Sequence, residues 1–116
     1  MGDGSEAFDF IAVEDCALAN ICAMKADTVD EQYNVGTGIR TSLKELAEMI
    51  VHITGCNKEI NYTDRSSATL VKNRIGDPKK ASDDLNFNAK IRLEEGLKKL
   101  IDWRTNNIAE IKKFNL

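Results

Sequence analysis

The chain has 116 residues, 42% of them hydrophobic and 30% charged, with a formal net charge of -3. That length holds one small domain with a core and is too short for two. The acidic balance argues against a polyanion-binding face, so nucleic acid is not an expected partner. Lys98, Lys99, Lys112 and Lys113 gather late in the chain, but Glu94, Glu95, Asp102 and Glu110 intersperse them, the pattern of a solvated helix face. Cys16, Cys22 and Cys56 are odd in number and lack a CxxC pair, which makes no disulfide framework and suits a reducing cytoplasm. His52 is the single histidine, so no metal site is expected. No apolar run reaches membrane-span length and no signal-peptide pattern is present, so the expectation is a soluble cytoplasmic domain with no membrane partner.

Taken in order, Gly2-Asp-Gly-Ser5 is a turn with nothing before it to turn from, which reads as a piece of a longer protein. Phe8-Asp-Phe-Ile-Ala-Val13 has strand composition. Asp15 is an N-cap for a buried helix over 16–26, whose apolar positions include Ala17, Leu18, Ile21 and Cys22. A short strand, Tyr33–Val35, leads through Gly36 and Gly38 into an amphipathic helix. Ser42 and Glu45 have capping-box spacing, and Leu43, Leu46, Ala47, Ile50 and Val51 fall on one face. Gly55 closes that helix in a left-handed conformation. Lys58–Tyr62 and Leu70–Ile75 read as short strands around a polar loop at 63–69. Asp77-Pro78 opens a short helix through about Asp84, and Leu93, Leu97, Leu100, Ile101 and Trp103 mark a last amphipathic helix, with Trp103 as a core anchor. Strand, glycine turn and helix in that order predict an α/β layer fold with three to four helices.

The motifs resemble, in order and over nearly the whole chain, the C-terminal portion of the nucleotide-sugar epimerases and dehydratases of the extended short-chain dehydrogenase/reductase family. The pieces are Gly2–Asp15 with Phe8-Asp-Phe10 inside it, Tyr33-Asn-Val-Gly-Thr-Gly38 with Thr41–Leu46, Arg74–Ala81, Leu85-Asn-Phe87, and Leu93-Glu-Glu-Gly-Leu97 running to Trp103. The flavour is that of UDP-glucose 4-epimerase-like members. The resemblance implies a Rossmann-type protein whose NAD-binding part, with its glycine fingerprint and catalytic Tyr-x-x-x-Lys, is not in this sequence. Neither Tyr33 nor Tyr62 has a lysine four residues on, so no catalytic residue is assigned and no hydride chemistry is expected of the chain alone. NAD belongs to the complete enzyme, with no cofactor expected in this chain.

What the resemblance leaves to the chain is the nucleotide-sugar. Family members carry an arginine before the Asp9 position for the pyrophosphate; here the residue is Phe8, which can stack on a base or sugar or pack as a core aromatic. A second phosphate arginine is implied in the loop before the helix, where Arg65 is the match. Arg74 is expected to face solvent or an ion pair, and Asp77 to cap its helix. The Gly36–Gly38 turn lacks the third glycine of a dinucleotide fingerprint and the Gly-Lys-Ser/Thr of a Walker loop, so its role is read as structural. Two function classes follow: a UDP-sugar-binding segment of an epimerase or dehydratase, or a stand-alone non-catalytic module that self-associates through an apolar face left bare.

Overall fold

The computed structural model describes residues 3–63 and 71–113. The elements are β1 (Ala7–Phe8), α1 (Val13–Lys25), β2 (Thr41–Ser42), α2 (Leu43–Thr54), β3 (Asn73–Arg74), α3 (Lys79–Leu85), α4 (Leu93–Asn106) and α5 (Ile108–Lys113). The three strands make one small sheet in the order β2-β1-β3, so β1 is central. β1 runs antiparallel to β2 (Ala7 opposite Ser42, Phe8 opposite Thr41) and parallel to β3 (Ala7 opposite Asn73, Phe8 opposite Arg74). Among the described residues, five helices and a mixed sheet make the α/β class expected from the sequence.

Local chemistry decides several of these boundaries. α2 starts at a complete capping box: the Glu45 N–H donates to Ser42 Oγ at 3.1 Å, and the Ser42 N–H donates to Glu45 Oε2 at 2.7 Å. It ends at Gly55 with φ +63°, as its sequence implies. α3 begins one residue later than expected, at Lys79, yet Asp77 still serves its start by accepting the Lys79 N–H at 3.0 Å. Ile108 and Ile111 do not prolong α4; Asn107 ends it and α5 follows.

Other expectations fail, each for a physical reason. The strand expected over 8–13 is only Ala7–Phe8, because β2 and β3 offer partners for just that length, and Val13 instead opens α1. Tyr33–Val35 and Lys58–Tyr62 are not strands. A strand exists only as one side of a ladder, and neither segment has a laddered neighbour among the described residues. Tyr33 is fixed by side chains instead. Its hydroxyl donates to Asp84 Oδ2 at 3.2 Å, and Lys80 sits 4.9 Å from its ring centre while pairing with Glu31 at 2.6 Å.

The core is small. Ala19, Ala81, Leu85 and Phe87 form it, with Ile11, Leu18, Cys22 and Tyr33 packed around, so α1 and α3 close on each other. By contrast, neither α2 nor α4 buries a single residue. Trp103 is therefore not a core anchor; it is 57% exposed, and Val13 is 77% exposed. The radius of gyration, 17.0 Å, exceeds the roughly 13 Å of a closed domain of this length. The amphipathic faces are formed but not covered.

Candidate functional site

The glycine turn after Tyr33–Val35 does hold an anion, and the anion is internal. Asp9, one residue beyond β1, receives the Thr37 N–H at 3.0 Å, the Gly38 N–H at 2.8 Å and the Thr37 hydroxyl. Gly36 is needed for this approach, since a Cβ there would lie 2.5 Å from Asp9 Oδ2. Gly38 has φ +74°, and a Cβ would press on Pro78 at 3.1 Å. The turn thereby ties β1 to the start of α3. NAD, the cofactor the resemblance implies, does not fit this turn: the N–H groups that would cradle a phosphate already serve a carboxylate, and a second anion would meet its charge. Asp9 lies 28 residues before Thr37, so no local sequence pattern announces the contact.

Asp15 is not the helix cap its sequence position implies. α1 begins three residues earlier than expected, at Val13, its N-cap is Ala12, and Asp15 is 2% exposed inside the fold. Its carboxylate accepts the Lys90 N–H at 3.0 Å and the Ile91 N–H at 2.9 Å, which fixes the approach to α4. The signal that could have found it is a short carboxylate among apolar positions with no lysine or arginine three or four residues on.

Of the two sequence-derived substrate residues, Arg65 lies outside the described residues. Phe8 is on the central strand, half-buried, with its ring 6.2 Å from Phe10 in an edge-to-face arrangement. The register places Thr41 on one side of it and Arg74 on the other. Arg74 is exposed, as expected of it. Arg40 works on the other face of the sheet, donating to Asn73 Oδ1 at 3.2 Å and to the Ser5 carbonyl at 3.3 Å.

Beside the sheet, α1, α2 and α4 surround an open apolar cleft of about 880 Å³, lined by Phe10, Val13, Leu46, Leu97, Leu100 and Trp103 among others. Glu14, Arg92 and Lys99 also line it, but most of its wall is apolar, so the cleft suits an apolar protein surface better than the charged part of a nucleotide. Charges nearby are surface pairs. Lys98 pairs with Glu94 at 2.7 Å and Lys99 with Glu95 at 3.0 Å, which lowers the Glu94 carboxyl and raises the Lys99 ammonium from their ordinary values. Among the described residues no group of histidines, cysteines or carboxylates gathers as a metal site, and no helix is long and apolar enough to cross a membrane.

A glycine turn closed on β1 and helices packed about a short mixed sheet make a small α/β unit. Comparison with known proteins narrows this. No family model matches the chain. It is 32% identical over 116 residues to the UDP-glucuronate 4-epimerase of Thermodesulfobacterium geofontis, covering 99% of this chain and 35% of that protein. It is 30% identical over 105 residues to the UDP-glucose 4-epimerase of Mycolicibacterium smegmatis, covering 90% of this chain and 33% of that one. The crystal structure of the UDP-glucose 4-epimerase of Thermotoga maritima with UDP-glucose superposes with a TM-score of 0.88 at 33% identity, covering 93% of this chain and 34% of that chain. The Bordetella bronchiseptica enzyme WbmF, solved with NAD+ and UDP, gives 0.83 at 34% identity over 97% of this chain and 33% of its own. The chain is thus a homologue of the NAD-dependent nucleotide-sugar epimerases of the extended short-chain dehydrogenase/reductase family, over about nine-tenths of its length. It spans about a third of the length of the relatives it matches.

Proposed function

We propose that this chain is the nucleotide-sugar-binding segment of an NAD-dependent sugar epimerase or dehydratase, with a UDP-sugar as its ligand. The observation that supports it most is the match of almost the whole chain to a third of each epimerase, including one crystallised with UDP-glucose. On this reading the segment forms one unit and positions its ligand: Arg65 pairs with the diphosphate and Phe8 stacks on the base or sugar. Oxidation and reduction on NAD belong to a dinucleotide-binding part that supplies Tyr-x-x-x-Lys, and orientation of the sugar is this segment's contribution to rate. The three free cysteines fit a cytoplasmic setting.

The test is an NMR titration of the chain with UDP-glucose and, separately, with NAD. The amides of Phe8 and its strand neighbours, and those around Arg65, shift with millimolar UDP-glucose and not with NAD. Unmoved spectra with UDP-glucose refute the reading.

A second reading is favoured by the uncovered face: Val13, Leu100 and Trp103, 77%, 58% and 57% exposed, border one apolar cleft. On it, the chain is a non-catalytic module whose copies cover this face for one another. Sedimentation equilibrium separates the two, because Trp103→Glu returns such a dimer to monomer and leaves UDP-glucose binding unchanged. A wild-type chain that is monomeric at high concentration excludes it.

A further inference from the structure

The apolar cleft beside the sheet has a graded wall. Leu93, Leu97, Leu100 and Trp103 recur three or four residues apart along α4 and line it, with Leu46 of α2 and Val13 of α1 across from them. Leu46, Leu93 and Leu97 are half-buried, whereas Val13, Leu100 and Trp103 stand exposed. Exposure therefore rises from the floor of the cleft to its mouth, where an indole offers the large, rigid apolar area that docking surfaces favour.

The charges around this face say what kind of surface covers it. α1 and α4 meet near their N-terminal ends, where a Cβ on Gly96 would lie 3.8 Å from the Ala12 Cβ. Glu14 follows Ala12 on one wall and Arg92 precedes Gly96 on the other, so an acid and a base edge the same cleft. Lys99, the other cation on the wall, is held by Glu95 at 3.0 Å, and Glu14 lies beyond ion-pair reach of it. Glu14 and Arg92 are exposed, and neither side chain makes a hydrogen bond or an ion pair with a described residue. In a two-fold pair the same patch meets itself, so one acid and one base per copy satisfy each other across the axis. A partner surface of single sign would attract one of them and repel the other.

We propose that the cleft is the docking surface for a second copy of this chain, Glu14 of each copy pairing with Arg92 of the other around an apolar centre at Leu100 and Trp103. The proposal rests on the self-associating reading above and names the charges that set its register. Sedimentation equilibrium is run on the chain, on Glu14→Arg, on Arg92→Glu and on the double exchange. The expected result is a wild-type dimer that weakens about tenfold or more in either single exchange, because like charges then face each other on both sides of the axis. The double exchange restores the opposite-sign pairs and returns the affinity to near the wild-type value, which also shows that the single variants lost pairing and not their fold. A wild-type dimer untouched by the single exchanges, or a double exchange as weak as the singles, overturns the charge register and leaves self-association standing. A wild-type chain that is monomeric at high concentration overturns both and leaves the cleft to a different protein.

Discussion

Replacing Asp9 by alanine should unfasten the glycine turn, and the size of the effect follows from its contacts. Three donors converge on the carboxylate: the Thr37 N–H, the Thr37 hydroxyl and the Gly38 N–H. A hydrogen bond to a charged group is worth about 1.5–3 kcal/mol net. Asp9 and Thr37 are only half-buried and Gly38 is exposed, so water replaces part of what is lost. The expected destabilisation is about 2–4 kcal/mol, a large share of the roughly 5–15 kcal/mol that holds an ordinary domain together. Urea unfolding followed by circular dichroism measures it, and amide exchange at Thr37 and Gly38 locates it. Asp9→Asn keeps one acceptor but turns an amide N–H₂ toward those donors, so it should fall near the alanine variant. A loss below about 0.5 kcal/mol, with unaltered exchange at both amides, refutes the internal-anion account of the turn.

The remaining predictions concern neighbouring contacts. Gly36→Ala brings a methyl to 2.5 Å from Asp9 Oδ2; it should destabilise by about 1–3 kcal/mol by pushing the carboxylate off the turn, and a neutral result in urea speaks against the close approach. Asp15→Ala strips the acceptor from the Lys90 and Ile91 amides, at a cost of about 2–3 kcal/mol, with exchange rising first at those two positions. Ser42→Ala removes the cap of α2 and should cost about 1 kcal/mol by thermal unfolding. In the intact protein the Ser42 N–H, and then its hydroxyl, hold the Glu45 carboxyl below its ordinary value of 4.5. A depressed folded-state value means that this contribution is present above the unfolded value and lost as pH falls through the folded one. Acid titration of the Glu45 carboxyl by NMR should therefore show a midpoint below 4.5 that rises only part of the way in Ser42→Ala, which keeps the backbone N–H; identical midpoints refute the hydroxyl's share.

Local signals in the sequence determined the elements whose causes are local. Ser42 and Glu45 set the start of α2, Gly55 its end, and the spacing of Leu93, Leu97 and Leu100 the existence of α4. The order of motifs likewise sufficed to point to the family, because such motifs are legible one at a time. Tertiary structure alone decided what those elements touch. It shortened Phe8–Val13 to two paired residues and left Tyr33–Val35 without a ladder, since strands need partners that a one-dimensional pattern does not contain. It left Trp103 in the open because an amphipathic stripe records that a face is apolar, not that anything in the chain covers it. It took Asp15 from a helix cap to a buried anchor 75 residues from its partner. It also answered what the glycine turn is for: the anion it holds is Asp9, which arrives from the end of β1, and the register of that strand sets Arg74 beside Phe8.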